Sequence, residues 1–179
     1  AVFLYALTGD DRYNTYVIEN YEKSELLTNG WWGPYKISFQ DAMLRYTTLD
    51  GADDQVKAAV LGLKEHNSAA GDYYDVNVDD ALYRAYMPAA AFHWGHSSAR
   101  GNGGNIVMQS VSYTVNPDKK DHYIQRARQM LHWFHGVNAL GKVYLTNMYA
   151  YGAENSAYEI FHSWFAQGTR WQNALTGDG

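Results

Sequence analysis

The chain has 179 residues, a formal net charge of −5 and no cysteine. This length suits one domain with a substantial core, and a hydrophobic share of 46% argues against a disordered chain. The lack of cysteine excludes disulfides and cysteine nucleophiles, and an acidic balance without a Lys/Arg cluster argues against nucleic acid as the main partner. No apolar run in the sequence is long enough to span a membrane.

Aromatic side chains are unusually frequent, with 6 Trp, 16 Tyr and 6 Phe. Tyr and Trp far outnumber Phe, so most of these rings carry a polar group that forms hydrogen bonds. An aromatic-rich core explains this composition. A carbohydrate cleft, in which rings stack on pyranose faces, explains it equally well.

The hydrophobic pattern predicts a series of helices in chain order. The first seven residues are typical of the last turns of a helix that Gly9 ends in the left-handed conformation, and the next helix is predicted from Asp10 or Asp11 to about Tyr21. Later helices are predicted from a Ser38/Asp41 capping pair to about Leu49, over 53–66, from Asn102 to Val115, over 119–135, and from a restart near Ser156 or Ala157. No segment alternates with period two for long, so we predict an all-α fold.

Two helix–turn–helix segments resemble each other: LYALTGDDRYNTYV at 4–17 and VSYTVNPDKKDHYI at 111–124. Such a repeat indicates stacked helical hairpins. Because residue 1 falls inside a predicted helix and only six or seven helices are predicted, we expect residues 1–179 to be a single but partial module.

Three segments carry a resemblance to a known family: WWGPYKISFQDA at 31–42, FHWGHS at 92–97 and GVNALGKVYLTN at 136–147. They resemble, in the same order, the W-W-G-P-Y-x-I-S-F-Q-D-A, Y-x-W-G-S-N and G-x-N-P-L-G-x-S-[FY]-V-T-G motifs of glycoside hydrolase family 9. Ala139 stands where that family usually has proline. The resemblance implies that the chain is part of an (α/α)6 barrel built of helical hairpins.

The resemblance also implies a function. The parent enzyme would cleave β-1,4-glucan or cello-oligosaccharides by inverting hydrolysis, would need no cofactor, and would be secreted or periplasmic. The expected partners are a β-linked oligo- or polysaccharide and the rest of the chain's own catalytic module, with no nucleic acid and no membrane. The departures from the motifs leave a specialist for cello-oligosaccharides or amino-sugar oligomers as an alternative.

Inverting hydrolysis requires one carboxylic acid and one carboxylate base. In the family the base motif precedes the segment that resembles 31–42, and the acid lies close to the C-terminus of the module. We therefore expect this chain alone to lack both. Ala70-Gly71-Asp72-Tyr73 copies part of the base motif in the wrong place, which makes Asp72 and Asp75 minor catalytic candidates.

The acidic loop that contains these residues has a second interpretation. Asp72, Asp75, Asp79 and Asp80 form either a solvated cluster or a structural calcium site, because calcium prefers several oxygen ligands. His132 and His135 are three apart on a predicted helix without a third ligand, so we predict no metal there.

The predicted substrate-binding residues are Trp32, Trp94, Asn138 and His162. The two tryptophans would stack on sugar rings, and core packing is the alternative for one of the adjacent pair Trp31 and Trp32. His162 resembles the sugar-contacting histidine of the family's P-H-x-R element, although it is displaced by one position and no arginine follows it. A buried helix histidine is the alternative for His162.

A function of another class is also compatible with the sequence: a non-catalytic helical carbohydrate-binding or structural module. Such a module predicts a self-contained helical fold that binds oligosaccharides. A partial hydrolase instead predicts apolar helix faces left exposed at its edges.

Overall fold

The computed structural model describes residues 1–30, 32–71, 73–75, 82–92 and 95–157. The helices of this part of the chain are α1 Val2–Thr8, α2 Asp11–Asn20, α3 Glu25–Asn29, α4 Ile37–Tyr46, α5 Asp54–Ala70, α6 His96–Ser112 and α7 Lys120–Phe134. Two short strands, β1 Val143–Thr146 and β2 Ser156–Ala157, pair in parallel. The predicted all-α class is confirmed. None of the described helices combines the length and the apolar character needed to span a membrane.

The chain divides into two compact units, Ala1–Met130 and a second unit that begins at Leu131. In the first unit α1 packs against α2 and α4, and α4 packs against α5 and α6. The helical hairpin formed by α1 and α2 matches the sequence prediction. Gly9 ends α1 with φ +66° and donates its N–H to the carbonyl of Tyr5 at 2.8 Å, and the Asp10 carboxylate caps α2 by accepting from the Arg12 N–H at 3.0 Å.

The predicted Ser38/Asp41 capping pair is wrong. Helix α4 begins at Ile37 after Lys36, whose φ is +56°, and no side chain caps its start. The Asp41 carboxylate instead accepts a hydrogen bond from Gln109 Nε2 of α6 at 2.6 Å. A long-range bond to another helix has therefore replaced the local cap.

Helix α6 begins at His96, well before the predicted start at Asn102. Glycines lower the helix propensity of this segment, but they also allow neighbouring residues to pack closely against it. A Cβ atom at Gly103 would lie 3.1 Å from the Tyr73 ring, and one at Gly104 would lie 3.4 Å from the Cβ of Met130 on α7. Close packing of α6 against its neighbours thus outweighs the propensity cost of glycine.

The core of the first unit is apolar with a few buried hydrogen bonds. Leu44, Val56 and Val60 are completely buried. The Tyr46 hydroxyl donates to Asn14 Oδ1 at 2.5 Å and accepts from the Asp53 N–H at 2.9 Å. These bonds connect α2, α4 and the start of α5, and the surrounding apolar burial supplies most of the stabilisation.

Lys64 of α5 places an ammonium group inside this unit, and the side chain is completely buried. Nζ donates to Tyr74 Oη at 2.8 Å, to the Ile106 carbonyl at 2.9 Å and to Gln109 Oε1 at 3.1 Å. The three N–H groups therefore all have acceptors. Through Gln109 the network extends to Asp41, so that one charged group connects α4, α5 and α6.

Burial lowers the pKa of Lys64 from its usual value of 10.5 to about 7, and the negative charge of Asp41 partly opposes this shift. The ammonium also lies over two aromatic rings, 5.2 Å from the centroid of Trp32 and 5.3 Å from that of Tyr74. Aromatic faces attract a cation without hydrating it. The contacts of the Lys64 ammonium therefore replace only part of the stabilisation that hydration gives it in water.

The second unit contains the small sheet. The Val143 N–H donates to the Asn155 carbonyl at 3.0 Å, and the Asn147 N–H donates to the Ala157 carbonyl at 2.7 Å. The prediction that a helix restarts at Ser156 or Ala157 is therefore wrong for these two residues. They form β2, because the backbone of the preceding segment offers them partners in a ladder.

We predict that Lys64→Met lowers the free energy of unfolding at pH 7 by about 1–3 kcal/mol, because buried acceptors on Tyr74, Ile106 and Gln109 lose their donor. The loss should grow with pH. Folded wild-type protein releases the Lys64 proton near pH 7, whereas the unfolded chain keeps it to near 10.5. Wild-type stability should therefore rise relative to Lys64→Met by up to about 1.4 kcal/mol per pH unit between these values.

Urea denaturation of both proteins at pH 7, 8 and 9 measures this difference. Lys57→Met is the matched control, since Lys57 lies on the same helix and forms an exposed pair with Asp54 at 3.2 Å. That variant should change stability by less than about 0.5 kcal/mol at each pH. A small Lys64→Met difference would contradict the described network, and a difference that does not change with pH would contradict the lowered pKa of Lys64.

Candidate carbohydrate-binding site

Asn138 fixes the shape of the loop that follows α7. Its side chain is buried, with 5% of its surface exposed. Nδ2 donates to the carbonyls of Trp133 and Lys142, each at 2.7 Å. Oδ1 accepts from the N–H groups of Leu140 at 3.0 Å and Lys142 at 3.1 Å. A primary amide has two donors and two acceptor sites, so the bonding capacity of this side chain is used completely.

The backbone on either side supports this arrangement. Gly136 adopts φ +99°, which a residue with a side chain rarely tolerates, and directs the chain out of α7. His135 then forms an isolated antiparallel bridge with Val143. The Phe134 and Tyr144 rings pack edge to face with their centroids 6.3 Å apart. Backbone and ring contacts thus hold the two ends of the loop together, and the hydrogen bonds of Asn138 hold its interior.

Asn138 was predicted to bind substrate, and the structure places it as the organiser of this loop. A hydrogen bond from its amide to a sugar would require one of the loop bonds to break. We therefore keep a direct sugar contact as a prediction, and expect the residue to act chiefly by presenting the loop in one conformation.

Three apolar side chains of this segment are exposed. Val137 is 48% exposed, Leu140 is 72% exposed and Leu145 on β1 is 45% exposed. Apolar groups on a preformed loop suit the C–H faces of a pyranose better than they suit an anion.

Trp32 was predicted to stack on a sugar ring. Its side chain is only 3% exposed and belongs to the hydrophobic core that also contains Leu44 and Val56, with the Lys64 ammonium over its ring. This burial is what core packing predicts for one member of the Trp31/Trp32 pair. The sugar-binding role of Trp32 stays a prediction. Trp31, Trp94 and His162 lie outside the described residues.

Asp75, a minor catalytic candidate, lies on the surface of the first unit. Burial lowers the pKa of Arg126 to about 10, and the Asp75 carboxylate opposes that shift. Asp75 also lines a pocket of about 310 Å³ together with Asp118 and His122. The His122 Nε2–H donates to the Tyr74 carbonyl at 2.7 Å, so this ring nitrogen already has a protein partner.

The remaining acidic candidates, Asp72, Asp79 and Asp80, lie outside the described residues. Among the residues that the structure describes, no three His, Asp or Glu side chains come together as a metal site. Calcium binding by the acidic loop therefore stays a prediction.

Two buried arginines were missed by the sequence analysis. Arg126 of α7 donates from Nε to the Tyr73 carbonyl at 2.9 Å and from a terminal nitrogen to the Arg84 carbonyl. Arg100 of α6 donates from Nε to the Ala85 carbonyl at 3.4 Å. They thereby bind the described residues Tyr73, Arg84 and Ala85, which lie between α5 and α6. The helical period gave one signal, because position 126 falls on the same face as the buried Tyr123 and Met130.

In a comparison with known families, the model of Glycosyl hydrolase family 9 matches residues 1–177. Neither the curated proteins nor the solved structures contain a match to the chain. The match covers nearly all of the chain, including the helical unit and the loop organised by Asn138, and a helical fold is typical of this family's (α/α)6 barrel. The chain belongs to glycosyl hydrolase family 9.

Proposed function

We propose that this chain supplies sugar-binding surface to an enzyme that cleaves β-1,4-glucan or cello-oligosaccharides by inverting hydrolysis. Membership of a glycoside hydrolase family supports a carbohydrate substrate. The main structural support is that four hydrogen bonds of buried Asn138 fix the conformation of the loop at 136–147.

A fixed loop is useful for binding because ordering it on contact with a ligand would cost free energy. In this chain that ordering is built into the folded state. The apolar side chains of Val137, Leu140 and Leu145 are thereby held at the surface, where a sugar face can cover them. Trp32, Trp94 and His162 remain the other proposed contacts with substrate.

We place the two catalytic carboxyl groups outside residues 1–179, because neither expected motif occurs at its place in this sequence. Residues 1–179 would then be one partial module whose partner is the remainder of its own catalytic module. Secretion to the cell exterior or periplasm fits a polymeric substrate. Within residues 1–179, Asp72 and Asp75 are the candidates for a catalytic carboxyl group.

The purified chain should bind cellohexaose without hydrolysing it. Isothermal titration calorimetry measures the binding, and a reducing-sugar assay on the same samples measures hydrolysis. Maltohexaose, which has the same sugars in α-1,4 linkage, is the control ligand and should bind more weakly. Absence of cellohexaose binding would contradict the proposed function, and release of reducing ends would place catalytic carboxyls within this chain.

Asn138→Ala should weaken cellohexaose binding by about tenfold or more, because the loop loses its internal hydrogen bonds and must be ordered by the ligand. Asn138→Asp should give a similar loss, since a carboxylate cannot donate to the Trp133 and Lys142 carbonyls. Asn105→Ala is the matched control, since this exposed amide of α6 makes one long bond of 3.4 Å to Asn102. Unchanged affinity in both Asn138 variants would show that the loop does not contribute to binding.

A further inference from the structure

Two tyrosines protrude from the turn that connects β1 to β2. Tyr149 is 56% exposed and Tyr151 is 82% exposed, and both lie in a short 3-10 helix, Tyr149–Tyr151. We call residues 147–155 the tyrosine turn. Exposing a ring as large as that of Tyr151 gives up the free energy that burying it would provide.

The tyrosine turn is fixed at both ends by the sheet. The Met148 N–H donates to Ser156 Oγ at 2.8 Å, and this hydroxyl donates to the Leu145 carbonyl at 2.6 Å. The Asn147 N–H donates to the Ala157 carbonyl at 2.7 Å, with Asn147 itself in the left-handed region at φ +60°. The hydrogen bonds of buried Ser156 therefore hold the start and the end of the turn together.

Hydrogen bonds inside the turn complete its structure. The Met148 carbonyl accepts from the N–H of Tyr151 at 2.9 Å and from that of Ala153 at 3.2 Å, and the Gly152 N–H donates to the Tyr149 carbonyl at 3.1 Å. The backbone that carries both rings thus has a defined conformation. A ring on such a backbone loses little conformational freedom when a ligand covers it.

Polar side chains accompany the rings. Asn147, Glu154 and Asn155 are exposed, and none of the three side chains makes a hydrogen bond within the part of the chain that the structure describes. Their amide and carboxylate groups are therefore available to a ligand. Tyr16 of α2, which is 60% exposed, lies instead on a helix surface without such a fixed polar turn.

We propose that the tyrosine turn is a second sugar-binding surface, on which Tyr151 stacks against a pyranose ring of a neutral β-1,4-linked oligosaccharide. The Asn147 and Asn155 amides then bind hydroxyl groups at the edge of that ring. This inference rests on the proposed function and adds a contact that the sequence motifs do not assign.

The chemistry of the ligand explains the choice. In β-1,4-linked glucose the hydroxyls point outward from the ring and the C–H groups point to its two faces, so each face is flat and apolar. An aromatic ring covers such a face, and amides can both donate to and accept from hydroxyls. Glu154 is the only charged residue of the turn, and its carboxylate disfavours acidic sugars such as uronates.

Calorimetric titration of the full chain with cellohexaose tests this surface. Tyr151→Ala should weaken binding by about five- to tenfold through loss of ring stacking. Tyr151→Phe keeps the ring and should bind within about twofold of wild type. Tyr16→Ala is the control for removal of an exposed tyrosine and should leave the affinity unchanged. Circular dichroism should show the same melting temperature for Tyr151→Ala as for wild type, because the side chain is 82% exposed.

The outcomes separate this inference from the proposed function. If wild-type protein does not bind cellohexaose, the proposed function itself fails. If wild type binds and Tyr151→Ala binds equally well, the function stands and the tyrosine turn is not a sugar-binding surface. Equal losses in Tyr151→Ala and Tyr151→Phe would also overturn the inference, because stacking does not need the hydroxyl.

Discussion

The buried ammonium of Lys64 is the interaction on which the packing of α4, α5 and α6 depends. Removing a charge from water costs several kcal/mol, and hydrogen bonds offset only part of that cost here, because burial still lowers the pKa of Lys64 to about 7. Tyr74, Ile106 and Gln109 provide the acceptors, and Gln109 passes the connection on to Asp41. A small shift of any of these helices would leave a buried charge or acceptor without its partner, so the network specifies one packing arrangement.

Other buried polar side chains in the described structure also connect separate parts of the chain by hydrogen bonds. Arg126 and Arg100 bind backbone carbonyls of the segment between α5 and α6, and Asn138 binds four backbone groups around its own loop. In each case one polar side chain replaces the regular hydrogen bonding that an irregular segment lacks. The two arginines are charged and stabilise a loop against helices, whereas Asn138 is neutral and stabilises a loop from within. The described parts of these two irregular segments are therefore fixed by side-chain hydrogen bonds.

Local patterns were sufficient to predict features that local chemistry determines. The end of α1 at Gly9, the start of α2 after Asp10 and the extent of α7 all follow from capping residues and helical period. The errors occurred where a distant partner decides the outcome. Asp41 bonds to Gln109 and does not cap α4, Gly103 of α6 lies close against the Tyr73 ring, and Ser156 pairs with β1 and does not begin a helix.

The candidate site shows the same limit. The motif at 136–147 singled out Asn138, but its role in shaping the loop depends on the carbonyls of Trp133 and Lys142, which come close only after the loop closes. Trp32 carries the same motif resemblance and is nevertheless buried beneath the Lys64 ammonium. A family motif thus identifies residues that matter without saying whether they touch the ligand or hold the residues that do. Tyr151 shows the converse, since it lies outside the three family motifs and its exposure on a fixed turn distinguishes it.

Hydrogen–deuterium exchange of the full chain, with and without saturating cellohexaose, tests whether the unit that begins at Leu131 carries the sugar-binding surface. We expect slower exchange on ligand binding in peptides that cover 136–157, where the Asn138 loop and the tyrosine turn lie, and unchanged exchange in α1 and α2. Protection confined to α1 and α2, or identical exchange throughout at saturating ligand, would contradict the claim that the unit beginning at Leu131 carries the sugar-binding surface.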